Sequence, residues 1–112
     1  MDCIFCKIIS GEIPSNKVFE DDKVVAFYDL EPQAPVHVLI VPKVHIESVL
    51  GIDETNSAVA AHVFEVAAKL ASELGVSEDG FRVVTNTGEN AGQTVKHIHF
   101  HLLGGRKLGR EA

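Results

Sequence analysis

The stretch TVKHIHFHLLGG, Thr94 to Gly105, carries histidine at every second position, His97, His99 and His101, with an apolar residue after each. Three of the chain's 6 histidines therefore fall within five residues. On a β-strand, side chains two apart share a face at a spacing of ~7 Å. A solvated face would leave the rings as polar filler, which asks three rare residues to alternate without cause. One metal ion cannot use all three, because the outer pair lies ~14 Å apart while a metal–imidazole bond spans about 2 Å. Attack on phosphorus fits better. A neutral imidazole offers a lone pair at one nitrogen when the other donates its proton to a fixed acceptor. Adjacent rings cannot all be cationic, so one is driven toward neutrality while another faces phosphate oxygens. The central ring, His99, is the expected nucleophile.

Nearby residues complete such a site. In NTGENAGQT, Gly88 and Gly92 let the backbone turn its N–H groups toward an anion, and Asn86, Gln93 and Thr94 offer neutral donors. The pattern lacks the lysine of a P-loop. His37, between two valines in VHVLIVP, is either a hydrogen-bonded core residue or a proton partner of the triad. Asp29 ends AFYD two residues after Phe27. A carboxylate beside an aromatic ring suits ribose hydroxyls and a stacked base, although aspartate before EPQAP is also an ordinary turn residue. Cys3 and Cys6, the only cysteines, form C-x-x-C. They are read as two small core residues, a redox pair or half of a metal site; the βαβ setting of a thioredoxin-like redox motif is missing.

These groups must be held by a small scaffold. The chain has 112 residues, 46% of them hydrophobic and 23% charged, enough for one domain, 1–112, around one core. Net charge is -6, which excludes a basic footprint for nucleic acid. No apolar run approaches the roughly 20 residues of a membrane span, and the N-terminus lacks a leader pattern, so a soluble cytoplasmic protein is expected. The segment DCIFCKIISGE makes a short helix that Pro14 stops, with Ile4, Phe5, Ile8 and Ile9 as its apolar side. KVFED and KVVAFYDL read as a hairpin through Asp21 and Asp22, and VHVLIVP as a buried strand. Val59, Val63, Val66, Leu70 and Leu74 define one long helix, capped by Asp53 or Thr55 and ended by Gly75. His62 lies on its polar stripe as a solvated bystander. FRVVTN and VKHIHFHLL supply strands four and five. The order β-β-β-α-β-β predicts an α+β fold: a five-stranded, mainly antiparallel sheet with one long helix and a short N-terminal one. Its open edge and apolar surface suggest a homodimer.

HIHFHLL resembles the motif of the histidine triad (HIT) superfamily. The longer segments FEDDKVVAFYDLEPQAPVHVLIVPKVHI and NTGENAGQTVKHIHFHLLGGR resemble its Hint branch, over Cys3 to Arg106. The resemblance implies a HIT-like homodimer that hydrolyses purine nucleoside phosphoramidates, adenylylated amines or acyl adenylates, releasing AMP or GMP. It implies that His99 forms a nucleotidyl-histidine intermediate, that the carbonyl of His97 orients His99, that His101 contacts the α-phosphate, and that His37 lies nearby in the triad's relay. It places Asp29 on the ribose, Asn86 and Gln93 on the phosphate, and Thr94 where a serine often assists the leaving group. Phe5, Ile8, Phe27 and Leu30 match its base pocket. A transferase branch carries glutamine where His101 stands, which favours water as acceptor here. Dinucleoside polyphosphate hydrolysis, or a zinc-bearing nucleotide-binding regulator with little turnover, are the alternatives. Animal members carry a longer C-terminus with a tryptophan that is missing from GGRKLGREA.

Bacterial-type members with C-x-x-C and PK-x-H bind structural zinc. By that resemblance Cys3, Cys6, His45 and His97 would form a closed tetrahedral Zn2+ site, with no metal needed for the chemistry.

Overall fold

Two apolar runs build the centre of the sheet in the computed structural model, which describes residues 3–110. These are β2, Val24–Tyr28, and β3, Val36–Pro42. They are flanked by β1, Lys17–Glu20, β4, Phe81–Val84, and β5, Phe100–Gly104, in the order β1-β2-β3-β5-β4. All four pairings are antiparallel. The hairpin turn between β1 and β2 is held by Asp21, whose carboxylate accepts from the amides of Lys23 and Val24, both at 2.8 Å.

Period-2 alternation gives the two faces different tasks. One face, with Val24, Ala26, Val38, Ile40, Phe100 and Leu102, packs on Val63, Val66 and Leu70 of helix α2, Ala58–Glu73. Burying each of these valine, leucine, isoleucine or phenylalanine side chains stabilises the fold by about 1.5–3 kcal/mol. The other face, with Val25, Phe27, Leu39 and Val41, is covered among the described residues by the short helix α1, Ile4–Ser10, through Phe5 and Ile8, with Ile13 and Val95 beside it. Seven residues cannot span a five-stranded sheet, so this face keeps an uncovered region. His37 and His101 open onto it. Among the described residues, no helix is long and apolar enough to cross a membrane.

Several local expectations shift. Helix α1 is stopped by Gly11, at φ 87°, before Pro14 is reached. Helix α2 starts at Ala58, later than a cap at Asp53 or Thr55 would place it. Asp53 instead accepts from the Thr55 amide and hydroxyl at 2.8 and 2.6 Å and closes a preceding turn. Gly75, at φ 78°, follows the helix end as expected. The fifth strand is shorter than VKHIHFHLL and begins at Phe100, so His97 and His99 precede it. The reason lies opposite. The β3–β5 register, Ile40 facing Phe100, runs on toward Pro42, which has no N–H to donate. The Pro42 carbonyl in turn accepts from the His97 ring at 2.8 Å, and the Ile98 amide donates to the Ile46 carbonyl at 2.6 Å. His62 is not a bystander: its Nε2 lies 2.7 Å from Asp21, tying α2 to the β1–β2 turn.

Candidate active site

Although only His101 lies in a regular strand, the three imidazoles still turn toward the α1 side of the sheet. The ring centroids of His99 and His101 are 5.2 Å apart, and Phe5 packs edge-on against both His99 and His97 at 4.9 and 6.0 Å. His37 extends the row, its ring 5.2 Å from that of His101.

The partners of each ring fix its proton, because a carbonyl can only accept and an amide N–H can only donate. The His99 Nδ1–H donates to the His97 carbonyl at 2.8 Å, which leaves Nε2 as the nitrogen able to present a lone pair. The carbonyl of His99 is itself held by the Thr85 hydroxyl at 2.8 Å. The Gln33 amide donates to His37 Nδ1 at 3.0 Å, so His37 carries its proton on Nε2. That nitrogen donates to His101 Nδ1 at 2.9 Å and lies 3.5 Å from Asp29. His101 therefore holds its proton on Nε2. Burial, then the nearby His99 and His37 rings, push the His101 pKa down to about 4 against a smaller upward pull from Asp29, so the ring is neutral near pH 7. Burial likewise lowers His37, with Asp29 opposing. The result is one outward-facing acceptor, His99 Nε2, beside one neutral donor, His101 Nε2–H.

A cleft of about 420 Å³ adjoins this pair. Phe5, Ile8, Ile13, Phe27 and Leu39 make its apolar walls, Tyr28 to Glu31 one side, and Thr94, Val95, His99 and His101 the end. Phe5 and Phe27 meet edge to face at 5.9 Å. Phe5, Ile8, Phe27, Asp29 and Thr94 are thus assembled around one space. Leu30 belongs to it only as a rim residue, 95% exposed. Asn86 lies apart, in a neighbouring hollow of about 370 Å³ bounded by Gln33, Arg82 and the backs of His37 and His101.

The glycine loop departs most from expectation. Gly88 and Gly92 do adopt left-handed backbone, at φ 82° and 79°. Yet the amides of Ala91, Gly92 and Gln93 donate within the loop to Gly88 and Glu89 carbonyls, instead of pointing toward an anion. Gln93 is engaged on both sides: its amide donates to the Glu47 and Val95 carbonyls at 2.7 and 3.0 Å and its oxygen accepts from the Gly88 amide at 2.9 Å. It braces the loop beneath Thr94. Sequence reasoning missed Ile13, Ser15, Leu39 and Val95 as cleft residues, since apolar and small residues on a loop or mid-strand carry no chemical signature.

The second cluster lies at the other end of the histidine row. Ligand atoms of Cys3, Cys6, His45 and His97 all fall within 4.8 Å of one another, a group able to hold a metal ion. His97 Nδ1 lies 3.3 and 3.6 Å from the Cys3 and Cys6 sulfurs, and His45 Nδ1 lies 3.3 Å from Cys6. The His97 Nε2–H donates to the Pro42 carbonyl at 2.8 Å, so the lone pair on Nδ1 faces the thiols. The amide of Cys6 also donates to the Cys3 sulfur at 3.3 Å, as α1 starts. Asp29, His37 and His101 likewise bring ligand atoms within 4.8 Å, but the proton on His37 Nε2 closes that group to a cation unless the Gln33 bond breaks.

Comparison with known proteins agrees with this geometry. The family model described as HIT domain matches residues 10–108. Purine nucleoside phosphoramidase from Escherichia coli is 48% identical over 108 residues, covering 96% of this chain and 91% of that protein. A histidine triad protein from Clostridium difficile superposes with a TM-score of 0.96 at 51% identity, covering 100% of this chain and 97% of the other. A HIT family hydrolase from Clostridium thermocellum gives a TM-score of 0.95 at 49% identity, with 98% and 96% covered.

Proposed function

This chain belongs to the HIT domain family, and from that membership we propose that it is a nucleotide hydrolase that cleaves purine nucleoside phosphoramidates and related adenylylated amines or acyl adenylates, releasing AMP or GMP. The observation that carries the reading is the pair of fixed tautomers, a His99 Nε2 acceptor beside a neutral His101 Nε2–H donor, at the end of an apolar cleft. The 48% identity to a purine nucleoside phosphoramidase supports the substrate class.

In the proposed path the base lies between Phe5, Ile8 and Phe27, and the ribose hydroxyls donate to Asp29. The His99 Nε2 lone pair attacks the α-phosphorus, forming an N–P bond. His101 Nε2–H donates to a phosphate oxygen whose negative charge grows as the bond forms, an interaction strongest in the transition state. The bond from phosphorus to the leaving nitrogen breaks, and that nitrogen takes a proton relayed from solvent by the Thr94 hydroxyl. Water then attacks the nucleotidyl-histidine, its proton passing to solvent, and the N–P electron pair returns to His99. The His97 carbonyl holds the Nδ1–H and stabilises the positive charge on the ring while the adduct exists. His37 keeps His101 in the donor tautomer, and Asn86 awaits the phosphate or its substituent from the neighbouring hollow. Gln93 acts on the phosphate only through the loop it braces.

The cysteine–histidine group fits Zn2+. A tetrahedron with bonds of about 2.0–2.3 Å has edges of about 3.3–3.8 Å, and the sulfur–nitrogen separations of 3.3, 3.3 and 3.6 Å fall in that range. Four protein ligands leave no open position, so bound zinc would tie α1 and the segment after β3 to His97 as a structural link. A homodimer is proposed from the unpaired β4 edge beside the exposed Phe64 and Phe81. Hydrolysis of an adenosine phosphoramidate by purified protein in the presence of chelator tests the activity. Steady release of AMP is expected; nucleotide binding with no turnover would reduce the protein to a nucleotide-binding regulator.

A further inference from the structure

Among the described residues, Ser15 presents the one buried side-chain oxygen without a hydrogen-bond partner in the protein. A buried hydroxyl in that condition destabilises the fold, and its persistence calls for a reason. Its location supplies one. Ser15 lies between α1 and β1, where residues 13–16 form a wall of the nucleotide cleft. The carbonyl of the next residue, Asn16, accepts from the Tyr28 amide at 3.1 Å, which sets Ser15 beside Phe27 and Tyr28 at the apolar end.

The polar groups of the cleft are unevenly shared. Thr94, His99 and His101 stand at the phosphate end, and Asp29 and Glu31 lie along the strand β2 exit. The apolar end, where Phe5, Ile8, Ile13 and Phe27 would stack and enclose a base, distinguishes no purine by hydrogen bonding. Ser15 and Asn16 are the polar side chains adjoining it. A serine side chain has three staggered positions about its single rotatable bond. Because the buried position gives Oγ no hydrogen bond, rotation into the cleft sacrifices none.

We propose that the Ser15 hydroxyl turns into the cleft and hydrogen-bonds the edge of the bound purine, making Ser15 a specificity-determining residue for the base. The inference rests on the nucleotide reading of the cleft given above. A hydroxyl both donates and accepts, so it meets the different edges of adenine and guanine with different geometry, and its removal changes the balance between them.

The test is calorimetric titration of wild-type protein and Ser15→Ala with AMP, GMP and ribose 5-phosphate, alongside thermal melting. Ser15→Ala is expected to weaken AMP and GMP unequally, the more affected of the two by about three- to tenfold, the size of one hydrogen bond, while ribose 5-phosphate stays within about twofold. The Tm should be unchanged or higher, since the substitution removes an unpartnered hydroxyl. An equal loss on all three ligands, no loss on either nucleotide, or a lowered Tm would overturn the assignment and make Ser15 a structural residue. Wild-type protein that binds neither nucleotide would overturn the nucleotide cleft itself, and the proposal with it.

Discussion

Two groups of side chains at opposite ends of one histidine row use the same ring in opposite ways. At the Cys3, Cys6, His45 end, His97 gives its Nε2–H to the Pro42 carbonyl and turns a lone pair toward two sulfurs, as a metal ligand must. Two residues on, His99 gives its Nδ1–H to the carbonyl of His97 and keeps Nε2 for the cleft. At the far end His101 accepts at Nδ1 and donates from Nε2. What separates a ligand from a nucleophile from a donor is which ring nitrogen meets the group behind it, a carbonyl at Nε2 of His97, a carbonyl at Nδ1 of His99 and the His37 imidazole at Nδ1 of His101, a point that residue identity alone does not reveal. The two ends should therefore fail separately when broken.

The largest effect is expected at the cleft end. His99→Ala should lower kcat by about 10⁴-fold or more while AMP affinity changes only a few-fold, because a nucleophile acts on the reaction path and not on ground-state binding. Near-normal kcat in that variant would remove the nucleophile assignment. The opposite pattern is expected at the metal end. In Cys3→Ser/Cys6→Ser, elemental analysis should show zinc falling from about one per chain to near none, and a loss of about 2 kcal/mol would lower Tm by about 10 °C. Residual activity at low temperature should stay within about tenfold. Unchanged Tm with no zinc in wild type would leave the cysteines as plain core residues.

A smaller effect sharpens the cleft side. Asp29→Ala removes the acceptor for the ribose and should raise KM about tenfold, an effect that shrinks with a 2′,3′-dideoxyribose substrate. Equal losses on both substrates would assign Asp29 to its turn, where it also accepts from the Glu31 amide at 2.8 Å.

The smallest effect is a pH dependence of stability. The folded His101 ring titrates at about 4, below the ordinary value of about 6.5, so between those values the unfolded chain binds a proton that the folded chain does not. Its contribution is complete above pH 6.5 and is lost as pH falls toward 4. Urea titrations from pH 7 to 4 should show a flatter loss in His101→Gln than in wild type. Parallel curves would place the charge elsewhere in the row.

How much of this was legible beforehand follows from the kind of signal each part carries. The strands β2 and β3 and helix α2 announce themselves, because β-branched runs and helical spacing of Val63, Val66 and Leu70 reflect burial directly. The grouping of Cys3 and Cys6 with His45 and His97 was legible through family resemblance, since such ligands are chemically rare. The start of β5 was not, because it depends on Pro42 across the sheet, far from His97 in sequence. The tautomers were not either: Gln33 and Pro42 act through backbone atoms, which every residue possesses. The glycine loop misled for a related reason. Gly88 and Gly92 reveal that left-handed backbone is needed, but not whether the amides so arranged turn outward to an anion or inward to the loop's own carbonyls.

The central claim is that the ring whose proton is fixed by the His97 carbonyl is the one that bonds to phosphorus. A rapid acid-free quench of a single turnover with an adenosine phosphoramidate, followed by peptide mass spectrometry, tests it most directly. The account predicts a transient adenylyl group on the peptide containing His99, localised to that residue by fragmentation, formed and lost at rates that account for AMP release. Turnover without any adduct, or an adduct on His97 or His101, would contradict it.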